Sequence, residues 1–280
     1  MGKSSLINLL LGEKLSIVNS KSQTTRHNIK GFIHGDDHQL ILVDTPGFID
    51  EPAYQLQLNM NSYIELALEE ADIIVMVVDK YNMLSAEHPL IKEILRAKKP
   101  LFVVINKIDQ CQPEEVNKIM AYYEELLPVA EMICLSVELK LGRDSLVELL
   151  LKYLPLHPPY YDHSDWTDRN MRFFASEIIR EKIFLNYKKE IPYSCEVVVT
   201  SFKEEETIIR IASEIYVERV SQRAILIGHK GESIKKVGIQ ARAELEKFFG
   251  KHVFLEQFVK VEPDWRGKAD KLRSFGYALD

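Results

Sequence analysis

Four short runs of apolar and branched residues, QLILV (39–43), IIVMVV (73–78), LFVVI (101–105) and MICL (132–135), recur along the first half of the chain. Between them lie stretches with helical spacing, among them PLIKEILRA (89–97) and residues 114–127, and a closing helix is expected at 145–153. Continuous apolar character suits strands covered on both faces, as in a parallel sheet. Repeated β-α units of this kind predict an α/β doubly wound sheet with helices on both sides. Such a sheet binds its ligand outside the carboxyl ends of its strands. The chemistry of this half is therefore expected in the residues that follow each run.

At 280 residues the chain exceeds the ~100–200 residues of one domain, so two domains are expected. The break falls in PLHPPYYDHSDWTDR (155–169), where proline withholds backbone donors and fixes φ, so that neither a helix nor a central strand continues through it. The expected organisation is a first domain over 1–155, a linker over 156–170 and a second domain over 171–280. Net charge is −6, but the first domain holds 15 basic against 22 acidic residues and the last segment 20 against 17. This change of sign hints that the C-terminal part meets a polyanion. Cys111, Cys134 and Cys195 lie far apart with no C-x-x-C pair, which fits a reducing compartment with no disulfide partner. The longest apolar run, 73–78, is far short of the ~20 residues of a membrane span, so the chain reads as soluble. Asn8 interrupts the short apolar N-terminal stretch, against a signal peptide, and Leu6 stands where an N-myristoylation start wants Ser or Thr.

Three segments at strand ends carry the functional signal. Gly2-Lys3-Ser4-Ser5 matches the tail of the phosphate loop G-x-x-x-x-G-K-[ST] and opens a helix, LINLLLG, whose N-terminal amides favour a phosphate. Lys3 would reach the outer phosphates and Ser4 would ligate Mg²⁺. After QLILV comes Asp44-Thr45-Pro46-Gly47, an acid suited to holding Mg²⁺ through water and a glycine able to offer its amide to a terminal phosphate. Taken alone, this segment also reads as a plain turn. After LFVVI comes Asn106-Lys107-Ile108-Asp109. An ionised Asp109 offers only acceptors, which suits the N1 and N2 donors of guanine and rejects adenine. Taken alone, the same four residues would serve as a helix N-cap. Ser136-Val137-Glu138 follows MICL, where a loop could back the base through its amides. The polar loop NSKSQTTRHNIKG (19–31) contains Thr25, preferred over Thr24 as the hydroxyl for Mg²⁺ and as part of a segment that moves when the γ-phosphate leaves.

In the second half, RNMRFFASEIIREKIFLNY reads as a helix with Phe173, Ile178, Ile179 and Ile183 on one apolar face. Strands are expected at 194–202 and 207–218, two helical segments around Gly228-His229-Lys230-Gly231, and a last strand HVFLEQFVKV. Paired glycines let a nucleic-acid backbone approach while helix amides and Lys230 meet phosphates, which is the GXXG loop of a KH fold. Lys235, Lys236 and Arg242 are the further candidates for RNA contact, and single-stranded RNA is the expected ligand. Ile225, Ile227 and Ile234 are expected in the core. The histidines, among them His27, His34, His38 and His229, lack metal-ligand spacing.

On SQTTRHNIKG, DTPGF, NKID and SVE together with the KH half, the chain resembles the Era family of ribosome-assembly GTPases over nearly its whole length. The resemblance implies a P-loop GTPase domain followed by a smaller α+β type II KH domain. It places the nucleotide against Gly2 to Ser5, Asp44 to Phe48, Asn106 to Asp109 and Ser136 to Glu138. It assigns Mg²⁺ to Ser4, Thr25 and Asp44, and catalysis to Lys3, Thr25 and Gly47. Phe48, standing where many GTPases carry the Gln that orients water, implies slow unassisted hydrolysis, with water held by loop backbone and a monovalent cation. Partners implied are the 3′ end of small-subunit ribosomal RNA and the small ribosomal subunit, with a monomeric, cytoplasmic protein and loose peripheral membrane association. Val137 departs mildly from the family's usual alanine. The first glycine of the phosphate loop would lie upstream of Met1, so a truncated or misassigned start lacking the first strand is expected, with weakened phosphate binding. Rival readings are a non-catalytic RNA-binding module with a defective nucleotide site, a P-loop kinase or ATPase, against which NKID speaks, and a GTPase of transfer-RNA modification or ribosome docking, against which the KH half speaks.

Overall fold

The structure, a computed structural model, describes residues 1–19, 21 and 23–277. It divides into two compact units, the first made of 1–16, 25–50 and 61–168, the second of 17–24, 51–60 and 169–280.

In the first unit, strands β3 (Ile74–Val78), β4 (Leu101–Ile105) and β5 (Val129–Cys134) form a parallel sheet with β4 in the middle. All five β4 residues are buried, the last four at 0% exposure. One face is covered by α1 (Lys3–Leu11) and α5 (Arg143–Tyr153), through Leu6, Leu10, Leu146 and Leu150 against Phe102 and Val104. The opposite face is covered by α3 (Pro89–Ala97) and α4 (Pro113–Leu126), through Ile91, Ile94, Ile119 and Tyr123 against Val103 and Ile105. This is the α/β layering of a doubly wound P-loop GTPase domain. Helices start where the sequence permits them to. Pro89 opens α3 while His88 Nδ1 accepts from Leu90 N at 3.1 Å, and Pro113 opens α4 with Glu115 Oε2 accepting from Gln112 N at 2.8 Å.

Two expectations change here. QLILV belongs to β2 (Gln39–Asp44), but its partner is an antiparallel strand, β1 (Ile29–His34), rather than a parallel one. Ile29 to Gly31, read as the end of a polar loop, lie in that strand, and β2 alternates buried and half-buried positions as a strand with one covered face does. Ser20 and Ser22 of the same loop lie outside the described residues.

Residues 156–168 were expected to link, yet they are counted with the first unit because they are strapped to the β1–β2 hairpin. The Gln39 side chain accepts from Tyr160 N and Tyr161 N and donates to Tyr161 O, Thr167 Oγ1 donates to Lys30 O at 2.7 Å, and Tyr161 stacks on Phe32 at 3.9 Å.

The second unit is built on α6 (Met171–Asn186), the one-turn α7 (Ile191–Ser194), β6 (Glu196–Glu204), β7 (Ile208–Val217), α8 (Val220–Ile227), α9 (Glu232–Phe249) and β8 (His252–Val261). The sheet order is β6-β7-β8, with β6 antiparallel and β8 parallel to β7. This α-β-β-α-α-β order is that of the smaller KH domain. Asn170 caps α6 by accepting from Phe173 N at 2.9 Å. Phe174, not Phe173, joins Ile178, Ile179 and Ile183 in the buried face, while Phe173 lies half-buried under the Arg169 guanidinium. Ile225 is 52% exposed rather than buried, and Ile234 packs partly buried against the core.

The segments 17–24 and 51–60, read as parts of the first domain, belong to this second unit through long polar side chains. Lys21 Nζ donates to the carbonyls of Phe184 and Tyr187 at the end of α6, the Arg266 guanidinium lies over the Tyr54 ring at 4.3 Å, and Asn59 Nδ2 donates to Tyr277 O. Trp265 is fully buried, with Nε1 donating to Ser194 O at 3.0 Å. Trp265→Ala is expected to lower unfolding stability by about 3–5 kcal/mol, the usual result of emptying so large a buried site. An unchanged denaturation midpoint by circular dichroism would contradict this packing.

Candidate functional site

The first group of residues meets at the N-terminus of α1. Gly2 precedes that helix at φ 93°, and a Cβ there would lie 2.6 Å from Asn106 Nδ2, so glycine is required on both counts. Behind it, Asn8 ties down the turn after α1, its Oδ1 accepting from Leu15 N and Ser16 N. Arg143 donates to Leu9 O and Leu10 O in the last turn of the helix. The helix that presents Lys3 and Ser4 is thus clamped at its C-terminal end.

Ser4 Oγ and Thr25 Oγ1 are 3.1 Å apart, and Thr25 Oγ1 donates to Asp44 Oδ2 at 3.4 Å. Asp44 is fully buried, and its Oδ1 has no hydrogen-bond partner among the described residues. Burial pushes the Asp44 carboxyl above its ordinary range, against the pull of the Ser4, Ser16 and Thr25 hydroxyls and the Lys3 ammonium. Burial likewise lowers Lys3, which Asp44 partly offsets. A buried carboxylate with one oxygen unpaired, beside two hydroxyls, is a set of hard oxygen donors of the kind that suits Mg²⁺. Thr24 instead donates to Lys21 O at 2.8 Å within a turn.

Beyond Asp44, Pro46 is buried, and a side chain at Gly47 would meet open space. Phe48 packs on the His88 ring at 5.5 Å, and His88 Nε2 lies 3.1 Å from Asp50. Phe48 therefore faces an aromatic neighbour and brings no hydrogen-bonding group to the site.

The NKID segment leaves β4 at its carboxyl end. Asn106 is buried, its Nδ2 donates to Met1 O at 3.0 Å, and its Oδ1 accepts from Lys107 N at 2.7 Å and Val137 N at 3.2 Å. The Val137 amide, expected to stand free for a base, braces Asn106 in this structure. Asp109 is exposed, and its Oδ1 accepts from the buried Ser136 Oγ, which in turn accepts from Leu139 N. Ile108 continues as the start of a short 3-10 turn, and Glu138 is exposed.

Asp79 was not foreseen. It follows β3, is fully buried, and accepts from Lys107 Nζ at 2.5 Å, with Tyr81 N and Asn82 Nδ2 on its other oxygen. Burial alone would raise its carboxyl, but the bonds from Lys107, Asn82 and the Met1 amino group hold it down at about 2. The signal was present in the sequence as an acid directly after a strand of the sheet.

In the second unit, Gly228 has φ 74°, and a Cβ there would lie 2.1 Å from Ser233 Oγ. Lys230 has φ 47° and Gly231 φ 80°, so the GHKG loop turns back on itself through left-handed backbone, with His229 and Lys230 exposed. A groove of about 300 Å³ runs beside it, lined along α9 by Ile234, Lys235, Gly238 and Arg242 and from β8 by Leu255 and Gln257. Lys236, one position round the helix from Lys235, is exposed but outside that groove.

Comparison with known proteins finds a family for each half of the chain. The 50S ribosome-binding GTPase family matches residues 1–107, and the KH domain family matches residues 190–266. The GTPase Era of Syntrophus aciditrophicus is 42% identical over 99% of this chain and 91% of its own length. This chain belongs to the Era family of GTPases. The Era of Elusimicrobium minutum is also 42% identical, over 100% of this chain and 94% of its own. Two solved Era structures, each 36% identical and covering 99% of this chain and 95% of their own, superpose with TM-scores of 0.93 and 0.94. The first is Era in complex with MgGDPNP and nucleotides 1506–1542 of 16S ribosomal RNA, the second an Aquifex aeolicus Era variant bound to GDP·AlF4⁻.

Within this Era-family frame, Asp79 is a positioning residue for Lys107. Lys107 stays 35% exposed, so solvent screens the pair, and Asp79→Ala is expected to weaken GDP binding by about 1 kcal/mol, roughly fivefold. A fluorescent-GDP titration measures this, and undiminished affinity would remove Asp79 from the site.

Proposed function

We propose that this chain binds GTP with Mg²⁺, hydrolyses it slowly, and uses its nucleotide state to set how the KH domain holds single-stranded RNA at the 3′ end of small-subunit ribosomal RNA during small-subunit assembly. The observation that carries the nucleotide part is the chain Ser4–Thr25–Asp44, which ends in a buried carboxylate oxygen without a partner. Ser4, Thr25 and Asp44 would hold the ion, which when bound neutralises charge developing on the phosphate oxygens. Lys3 is already desolvated and would pair with the outer phosphates, and the first amides of α1 add donors to the same place. Asp109, aligned by Ser136, offers an acceptor edge to the paired donors of guanine. Phe48 offers an attacking water nothing to bond to, which supports slow turnover.

The RNA part is supported by the GHKG loop with its exposed Lys230, by the cations Lys235 and Arg242 lining the groove, and by the rRNA complex of the 36% identical Era. The family resemblance alone supports a monomeric, cytoplasmic protein with loose membrane attachment and a monovalent cation beside Mg²⁺.

Two outcomes are expected. GTP should bind far more tightly than ATP in a polarisation titration, chelation of divalent ions should abolish turnover, and Asp109→Asn should cost at least about a hundredfold in GTP affinity; equal binding of the two nucleotides would refute the guanine assignment. Gly231→Asp, at a position with open space around it, should weaken single-stranded RNA binding by about tenfold or more while GDP affinity holds. RNA affinity equal to that of the parent chain would sink the KH assignment.

A further inference from the structure

Along β8, Val253, Leu255, Gln257, Val259 and Val261 alternate with exposed positions and so share one face. Four of the five are apolar and pack on the KH core, and only Gln257 carries an amide there. Its Nε2 is buried with no hydrogen-bond partner among the described residues. The polar group nearest in register, Ser213 on β7, donates its hydroxyl to Glu256 O at 3.0 Å instead. A buried amide without a partner is destabilising, so a side chain of this kind in an apolar register is suited to meeting a ligand's polar edge.

The facing helix makes room for it. Gly238 sits inside α9, where glycine is less favourable than alanine. A Cβ at Gly238 would lie 2.6 Å from Gln257 Oε1. Both residues line the groove of about 300 Å³ flanked by Lys235 and Arg242.

We propose that Gln257 is the base-reading residue of this groove and that in a single strand it selects bases with an amino donor beside a ring-nitrogen acceptor, adenine and cytosine, over uracil. Adenine offers N6 beside a ring nitrogen and unpaired cytosine offers N4 beside N3, and a glutamine amide meets either pair with both its atoms. Ile234 and Leu255 supply the apolar wall for the ring, and Lys235 and Arg242 lie where a backbone would run. The inference rests on the RNA-binding reading above and adds to it which residue discriminates and which bases it takes.

The test is fluorescence anisotropy of the full chain with labelled homopolymers of adenylate, uridylate and cytidylate of equal length. The native chain should favour the adenylate strand over the uridylate strand by about five- to a hundredfold. Gln257→Leu should bring that ratio close to one, and Gly238→Ala, which displaces the amide without altering it, should lower it as well. Using the ratio removes any general effect of either substitution on folding or charge. A ratio unchanged in Gln257→Leu, or a native preference for uridylate, overturns the assignment to Gln257 while leaving RNA binding in place. Failure of the native chain to bind any of the three overturns the RNA reading and this inference together.

Discussion

Strand Leu101–Ile105 is the constraint on which the first unit depends. It is hydrogen-bonded to a strand on each side and covered by helices on each face, so its backbone and side chains are all removed from water. Burying each of these branched or aromatic side chains contributes about 1.5–3 kcal/mol, and no polar residue fits among them. Polar groups can therefore appear only where the strand ends. Asn106 is that first position, and its amide side chain joins Met1 O, Lys107 N and Val137 N into one knot. A covered central strand thus fixes the guanine-side loops and the start of α1 in a common place.

Asp44 and Gln257 share a physical condition, which is a buried polar atom with no hydrogen-bond partner among the described residues. Asp44 holds one oxygen without a partner in a fully buried position, and Gln257 holds one amide nitrogen in the same condition. Each is tolerated because its neighbours are rigid. Asp44 ends a strand paired with Ile29–His34, and Gln257 lies in a strand paired along ten positions with β7. The cost of desolvating these atoms is thereby met by the surrounding fold.

Much of this was legible because strand-forming runs and strand-end motifs are local in sequence. QLILV, LFVVI, GKS, DTPG and NKID each state their own conformation within a few residues. Other features were hidden because they depend on residues far apart. Strand Ile29–His34 contains Lys30, Gly31 and His34 and shows no apolar run, and only pairing with β2 makes it a strand. Residues 156–168 look like a linker by their prolines, yet Gln39 and Phe32 hold them. Phe173 and Phe174 are adjacent, so helical periodicity alone could not decide which one turns inward. Asp79 was overlooked since nothing nearby in the sequence announces its partner, Lys107.

What the sequence determined by itself was the set of chemical groups and their spacing: a lysine and two serines opening a helix, a carboxylate after one strand, an Asn-Lys-Ile-Asp run after another, and a glycine-framed loop in the second half. Each depends on residue type and on short spacing, and both are written directly in the chain. What only the tertiary structure decided was which of these groups are left wanting. That Asp44 keeps an oxygen unpaired, that the Val137 amide is taken by Asn106, and that Gln257 faces a glycine across a groove all follow from burial and from partners distant along the chain. Hydrogen-bond satisfaction is a property of three-dimensional neighbours, and no local pattern of residues encodes it.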